Sequence, residues 1–438
     1  MPEKNTWGII GGGMLGMTLA MRLAQAGHKV TIFESAEKVG GLTGSWQMGD
    51  VVWDKYYHVI LMSDLNTRKI LQEIGLENQM QWVETKTGFY SGGKLYSMSN
   101  IIEFFKFPPI NLFDKFRLGL TIFVASKIKN WQQLENIFVA DWLTKWSGKR
   151  VFEKIWLPLL KAKLGENYKN TSAAFIWTTI QRMYAARKSG LKKEMFGYMA
   201  GGYEKINQQL AAHLIKLGVT IQYSSKVSAI KKTTNKQLQV TTENSTENFD
   251  KVISTLSSQA SVTIANELTE EEKKKHNSIK YLGVICPSVL LRKAISPYYV
   301  TNITDSWPPF TGVIEMTALI DKKEIKGNHL VYLPKYVNPD DALFEKDEAG
   351  LRKIFLDALF KMYPHITEDD VLFWGTSNAR IVFALPTINY SKNIPGTTTS
   401  LGNYYIVNSA QIINGTLNVN ETIQVAESKL KEILNSNG

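Results

Sequence analysis

At 438 residues the chain exceeds what one compact core accommodates and suits two domains. An apolar fraction of 44%, a charged fraction of 21% and an aromatic fraction of 11% exclude a disordered or fibrous chain. The net charge of +11 raises nucleic acid as a partner, but no helix-turn-helix, zinc-finger or RNA-binding signature accompanies it. Nucleic acid is therefore not expected, and most basic residues are read as solvating exposed helix faces.

The first seven residues are polar and lead straight into an apolar run, without the charged segment and cleavable stretch of an export signal. No run reaches the roughly 18 apolar residues of a membrane span. Cys286, the lone cysteine, sits in the apolar text YLGVICPSVLL and reads as a buried thiol in a reducing compartment. The expected location is cytoplasmic.

The opening TWGIIGGGMLGMTLAMRLAQAGHKVTIFES reads as strand, tight turn, helix and strand. Residues 7–10 form a short strand buried on both faces, Met14–Gln25 a helix with Gly27 past its end, and Lys29–Phe33 the second strand. This is the sequence form of a βαβ crossover. Residues 100–165 and 171–191 read as helices, broken by Pro108, Pro109 and Pro158. An amphipathic helix over 204–217 leads to short strands at 219–223, 227–231, 238–242 and 251–255. Strands follow at 284–291, 311–319 and 329–333, a helix at 351–362, a strand near 371–374, and a closing helix at 421–434. Strand-rich and helix-rich text alternates without a linker. The expected class is therefore α/β, α+β overall: a Rossmann-like nucleotide domain interleaved with a mixed sheet-and-helix substrate domain. The expected division assigns 1–90, 198–260 and 375–438 to the first and 91–197 and 261–374 to the second.

Gly11, Gly13 and Gly16 form G-x-G-x-x-G between the first strand and the helix. Gly11 permits the turn, Gly13 lets backbone approach a pyrophosphate, and Gly16 lets helix and strand pack closely. The helix N-terminus, at Met14, Leu15 and Gly16, offers unpaired N–H groups to phosphate. Glu34, 23 residues after Gly11 and followed by Ser35, is placed to accept from ribose hydroxyls and would repel a 2′-phosphate. Six residues on, Gly40-Gly41 opens GGLTGSW.

There the sequence resembles the flavin-dependent amine oxidase superfamily, which includes protoporphyrinogen oxidases, phytoene desaturases and, more distantly, UDP-galactopyranose mutase. The resemblance implies that Gly40, Gly41, Leu42 and Thr43 lie along the pyrophosphate and ribityl chain of FAD. The text over 197–230 resembles the segment that returns to the FAD domain, where Val227 would meet adenine through its backbone. The closing LGNYYIVNSAQIINGTLNVNETIQVAESKLKEIL resembles the last FAD motif, which implies cofactor contacts at Asn408, Ser409, Asn420 and Thr422. More narrowly, WDKYYHVI, YLPKYVNPDDALF and ALPTINYSKNIP resemble a bacterial protoporphyrinogen oxidase-like subgroup. Two departures stand out: Leu42 replaces the usual arginine, and Asn408-Ser409 the usual Gly-Asp.

The resemblance also places Asp54, Tyr56, Tyr57 and His58 beside the flavin ring. His58 is a candidate proton mover or flavin contact, with a structural histidine as the equal alternative. Tyr57 is a weaker candidate, more readily explained by packing. Glu315 could face the substrate cavity or sit on an exposed strand face. Arg380 is read first as a structural ion pair. Residues 101–128, rich in aromatics, leucines and lysines, read either as buried helices lining the substrate domain or as a peripheral membrane contact admitting a lipid-like substrate. Arg182, Arg187, Lys188, Lys192 and Lys193 form a basic patch. His28, His58, His213, His276, His329 and His365 are scattered singly, so no metal site is expected.

The expected function is an FAD-dependent oxidase or desaturase that moves a hydride from a hydrophobic small molecule to flavin N5. The alternatives are a sugar-nucleotide mutase without net redox change and an inactive flavin-binding relative. The sequence assigns no oligomeric state.

Overall fold

A computed structural model describes residues 4–187, 195–413 and 416–435. The apolar runs that open the chain become adjacent strands. Thr6–Ile10 pairs in parallel with Lys29–Phe33 on one side and with Lys251–Ser254 on the other. Thr220–Gln222 and Tyr404–Ile406 extend the sheet outward, also in parallel, to five strands. Counted along the chain, the order is third, second, first, fourth, fifth. The sequence runs outward twice from Thr6–Ile10, once in each direction, and ligands of such sheets settle where the order reverses, beyond the strands' C-terminal ends.

Strand alternation divides the side chains between two cores. Trp7, Ile9, Ile32, Ile253 and Tyr405 join one cluster with helices Met14–Gln25, Gly202–Lys216 and Val419–Asn435. Ile10, Phe33, Val252, Tyr404 and Ile406 join the other, covered by an antiparallel sheet of Val227–Lys232, Leu238–Thr242 and Thr246–Phe249. With both faces covered, strands this apolar are stable, since each Leu- or Phe-sized side chain fully buried contributes about 1.5–3 kcal/mol.

The second region is built on an eight-stranded mixed sheet centred on Tyr281–Leu291, every residue of which is buried. Val284, Cys286 and Leu290 turn to a core shared with helices Leu112–Lys127, Val139–Ser147 and Leu157–Leu164. Ile285, Val289 and Leu291 turn to the other face, under helix Glu348–Met362. Cys286 is a free, buried thiol whose pKa burial pushes up, as its apolar surroundings suggested.

Two expectations need correction. The strand near 371–374 runs on as Val371–Ala384, because its polar second half is held against Tyr281–Leu291 and one face stays partly exposed. The strand over 311–319 stops at Gly312–Glu315 and turns into a 3-10 helix at Met316–Ala318, where Thr317 Oγ1 accepts from the Leu330 N–H. The boundaries at 90 and 375 fall inside strands Thr87–Ser91 and Val371–Ala384, both members of the eight-stranded sheet.

Candidate functional site

At the C-terminal edge of the parallel sheet, Gly11 turns the chain with φ +102°, a conformation that favours glycine. Its N–H donates to Phe33 O at 2.9 Å, and Thr255 Oγ1 donates to Ile10 O at 2.8 Å. The next two residues carry the chain into helix Met14–Gln25, whose cap, Gly13, makes no side-chain hydrogen bond, and no acid stands in its first turn. Its leading N–H groups are left for an anion.

The second glycine pair stands beside the first. Gly40 N–H donates to Gly12 O at 2.8 Å, and Gly13 and Gly40 form a parallel bridge. A Cβ on Gly41 would lie 3.4 Å from Gly13 Cα, so two bare backbones face one another. Glu34 follows directly after the second strand and is buried. Its Oε2 accepts from Gly12 N–H at 2.7 Å and its Oε1 from Ala36 N–H at 2.8 Å. Ser35 Oγ also donates to Oε1, at 3.3 Å, while Oε2 keeps a second acceptor position for a ribose hydroxyl. Ser35 is exposed beside it. Bare glycine backbones, an uncapped helix and a held carboxylate on one sheet edge fit a dinucleotide.

One residue of this cradle has no local signal in the sequence. Asn207, buried on helix Gly202–Lys216, donates to Thr43 O at 2.9 Å and accepts from Thr43 Oγ1 at 3.2 Å. It clamps the Gly40–Thr43 turn from 164 residues away. Leu42, where arginine was expected, is half-buried against the core of the second region.

The same helix holds the other half of the site. One turn before Asn207, Tyr203 N–H donates to Asp54 Oδ1 at 2.9 Å. The Tyr203 and His58 rings lie 5.1 Å apart, and both line a small void with Asp54, Tyr198 and Met316. Burial pushes the Asp54 carboxyl up to about 8, outweighing the Tyr203 N–H that opposes it. Burial also holds His58 down, to about 4. Its Nδ1 lies 2.9 Å from Tyr56 O, a partner that can only accept, so Nδ1 carries the proton and Nε2 is left as an acceptor. Near neutrality both groups are largely uncharged. Tyr57 OH meets Tyr336 OH at 3.1 Å, Tyr332 OH donates to Asp54 O at 2.6 Å, and Lys163 Nζ sits 3.2 Å from the Tyr336 ring centre. Tyr332, Tyr336 and Lys163 were not singled out from the sequence, because only the eight-stranded sheet and helix Leu157–Leu164 bring them to Tyr57.

These shifts predict a pH profile. Asp54 binds a proton more tightly folded, near 8, than unfolded, near 3.8, so its contribution to stability falls as pH rises between those values. His58, lowered from 6.5 to about 4, has the opposite slope between those two values. The two offset below pH 6.5 and leave a decline from 6.5 to 8. Asp54→Asn is expected to remove that decline, a difference of about 1.4 kcal/mol per pH unit. Denaturant unfolding of both proteins across this range checks it; parallel profiles would contradict it.

Other candidates lie elsewhere. Glu315 does not face the void: its neighbour Met316 does, and Glu315 is buried on the opposite side, accepting from Ile295 N–H at 3.0 Å and bonded to Thr317, with His329 Nδ1 at 3.5 Å. Asn408 caps the turn at Ser409–Gln411, accepting from Ala410 N–H, and its Nδ2 donates to Leu256 O at 2.9 Å. It thus ties the ends of the fourth and fifth strands, with Ser409 half-buried beside it. Asn420 accepts from Asn66 and Thr67 N–H, and Thr422 Oγ1 donates to Asn418 O. Their side chains hold the last helix and its neighbour in place. Val227 is buried where its strand meets Thr242. Arg380 pairs with Glu345 and Pro339 O, the structural role expected. Arg182 leaves the basic patch, since it pairs with buried Asp64 at 3.0 Å. Lys188, Lys192 and Lys193 lie outside the described residues. Among the described residues no group of three or more His, Cys, Asp or Glu is placed to hold a metal ion.

Residues 15–403 match the family described as flavin containing amine oxidoreductase. The chain belongs to that family. Its cofactor is FAD and its class oxidoreductase, as the resemblance at the second glycine pair implied. Among curated proteins it is similar to zeta-carotene desaturase of Synechocystis, 24% identical over 257 residues, which covers 53% of this chain and 52% of that protein. The chain thus spans about half the length of the curated relatives it first matches. In fold it is similar to an oxidoreductase from Methanosarcina mazei, with TM-score 0.76, 18% identity and coverage of 97% and 100%. It is also similar to a putrescine oxidase bound to putrescine, with TM-score 0.73, 16% identity and 99% of both chains covered.

Proposed function

We propose that this chain is an oxidase- or desaturase-type enzyme that dehydrogenates a hydrophobic small molecule. One observation carries the reading: helix Gly202–Lys216 holds both halves of the site, the Gly40–Thr43 turn through Asn207 and the Asp54–His58 stretch through Tyr203. One helix thus ties the nucleotide cradle to the void lined by Asp54, His58, Tyr198 and Tyr203. Gly11, Gly13, the leading N–H groups of Met14–Gly16, Glu34, Gly40–Thr43, the Val227 backbone and Ser409 would hold FAD, which when bound supplies the acceptor for a hydride from substrate.

The chain's own groups suit that division of labour. Tyr198 and Tyr203 give the void aromatic faces, and the uncharged Asp54 and His58 add no ionised base. Such a chamber favours removal of a hydride from an unactivated C–H bond over abstraction of a proton. The zeta-carotene desaturase named above is, by its name, a relative that desaturates an apolar polyene.

The test is anaerobic mixing of the purified protein with apolar polyenes and long-chain amines. The flavin band is expected to bleach with an apolar member of the panel. No bleaching by any member, with UDP-galactopyranose turned over by the pre-reduced protein, would replace this reading by a mutase.

A further inference from the structure

We infer that the outer face of helices Ile101–Lys106 and Leu112–Lys127 docks on an anionic lipid surface. Helix Leu112–Lys127 is inverted relative to an ordinary surface helix. The stripe it buries is Asp114, Lys115, Leu118, Thr121 and Ala125, only two of them aliphatic. The face it leaves exposed carries Leu112, Phe113, Phe116, Leu120 and Phe123, with Phe113 67% and Phe116 69% exposed. The spacing puts them on one side of about three turns. Ile102 and Phe105, on the preceding short helix, are also exposed. Isolated apolar residues on a surface are ordinary, but a continuous aromatic face is not.

The inverted stripe is held, not accidental. Asp114 pairs with Arg150 at 3.2 Å, and Lys115 Nζ donates to Phe105 O at 2.6 Å, where the short helix ends. Those bonds fix the helix with its aromatic side outward.

Charge selects the occupant. Over residues 101–130 the acids are Glu103 and Asp114. Asp114 is buried, and Glu103 is turned back to accept from Ser97 Oγ and Ser99 N–H. The exposed charges are Lys106, Lys127 and Lys129, with Arg117 half-buried at the edge and donating to Lys145 O. Arg117 lies over the Phe113 ring at 5.9 Å and Lys127 over Phe123 at 5.3 Å, so each cation rides beside the ring it would follow into a headgroup layer. A two-fold contact with a second copy would set this all-cationic rim against itself. An anionic bilayer complements both the rings and the rim. Among the described residues no helix is long and apolar enough to cross a membrane, so the contact is peripheral.

The test is flotation of the full chain with vesicles of phosphatidylcholine alone and of phosphatidylcholine mixed with phosphatidylglycerol. The protein is expected to float with the mixed vesicles and poorly with the neutral ones. Phe113→Ser with Phe116→Ser and Phe123→Ser should lower the bound fraction at least about tenfold, at unchanged unfolding temperature and flavin band. Lys127→Glu with Lys129→Glu should abolish the preference for the anionic lipid. Failure of the native protein to float, or equal flotation of the serine variant, would overturn the inference. So would a native dimer that the serine changes dissociate without any lipid binding.

Discussion

Gly16→Ala is expected to yield a chain that folds poorly and purifies without flavin. A Cβ at Gly16 would lie 1.9 Å from Gly11 O and 3.1 Å from Gly11 C, and within 3.3 Å of Ile9 Cγ2. The first two are backbone atoms, so no side-chain rotation relieves the clash. Gly11 is itself fixed: its N–H is bonded to Phe33 O, and Thr255 Oγ1 sits 2.4 Å from where its own Cβ would be. Strand Thr6–Ile10 and helix Met14–Gln25 would have to part, at a cost of about 3 kcal/mol or more. The unfolding temperature should fall by about 5 °C or more. Gly13→Ala provides the contrast. Its Cβ would meet only Gly40 O, at 3.8 Å, an ordinary contact. Folding should survive while the face left open to a pyrophosphate is narrowed. Equal unfolding temperatures for Gly16→Ala and the native protein would contradict the account of this packing.

Glu34→Gln is expected to keep the fold and release the cofactor. The carboxylate accepts from Gly12 N–H through one oxygen and from Ala36 N–H through the other. An amide of the same shape must set its NH2 against one of those donors, which costs about 1–3 kcal/mol. FAD affinity should fall about 10- to 100-fold, read by titrating the apoprotein with FAD and following flavin fluorescence. Unaltered affinity would remove Glu34 from the site.

The two glycine motifs and Glu34 were legible because each is local: strand, turn and helix follow one another over 34 residues, and the geometry of a βαβ unit needs little else. Asn207, Tyr203 and Tyr336 were not, since each gains its role from a partner more than a hundred residues away. Glu315 shows a different limit. The sequence offered a cavity face or an exposed one, yet both faces of its strand are buried, and its side chain serves Ile295 N–H and Thr317 instead. The helix Leu112–Lys127 was apolar enough to be read as either core or membrane contact. Its burial decided which face turns inward, and the polar one does. Local chemistry could be read along the chain; pairings across the two sheets could not.

The most direct measurement is the visible spectrum of the freshly purified protein, before and after anaerobic dithionite, followed by release of the cofactor on denaturation. The account predicts a flavin band near about 450 nm that bleaches on reduction, with FAD recovered in the supernatant. A colourless protein that takes up no FAD when it is added would contradict it.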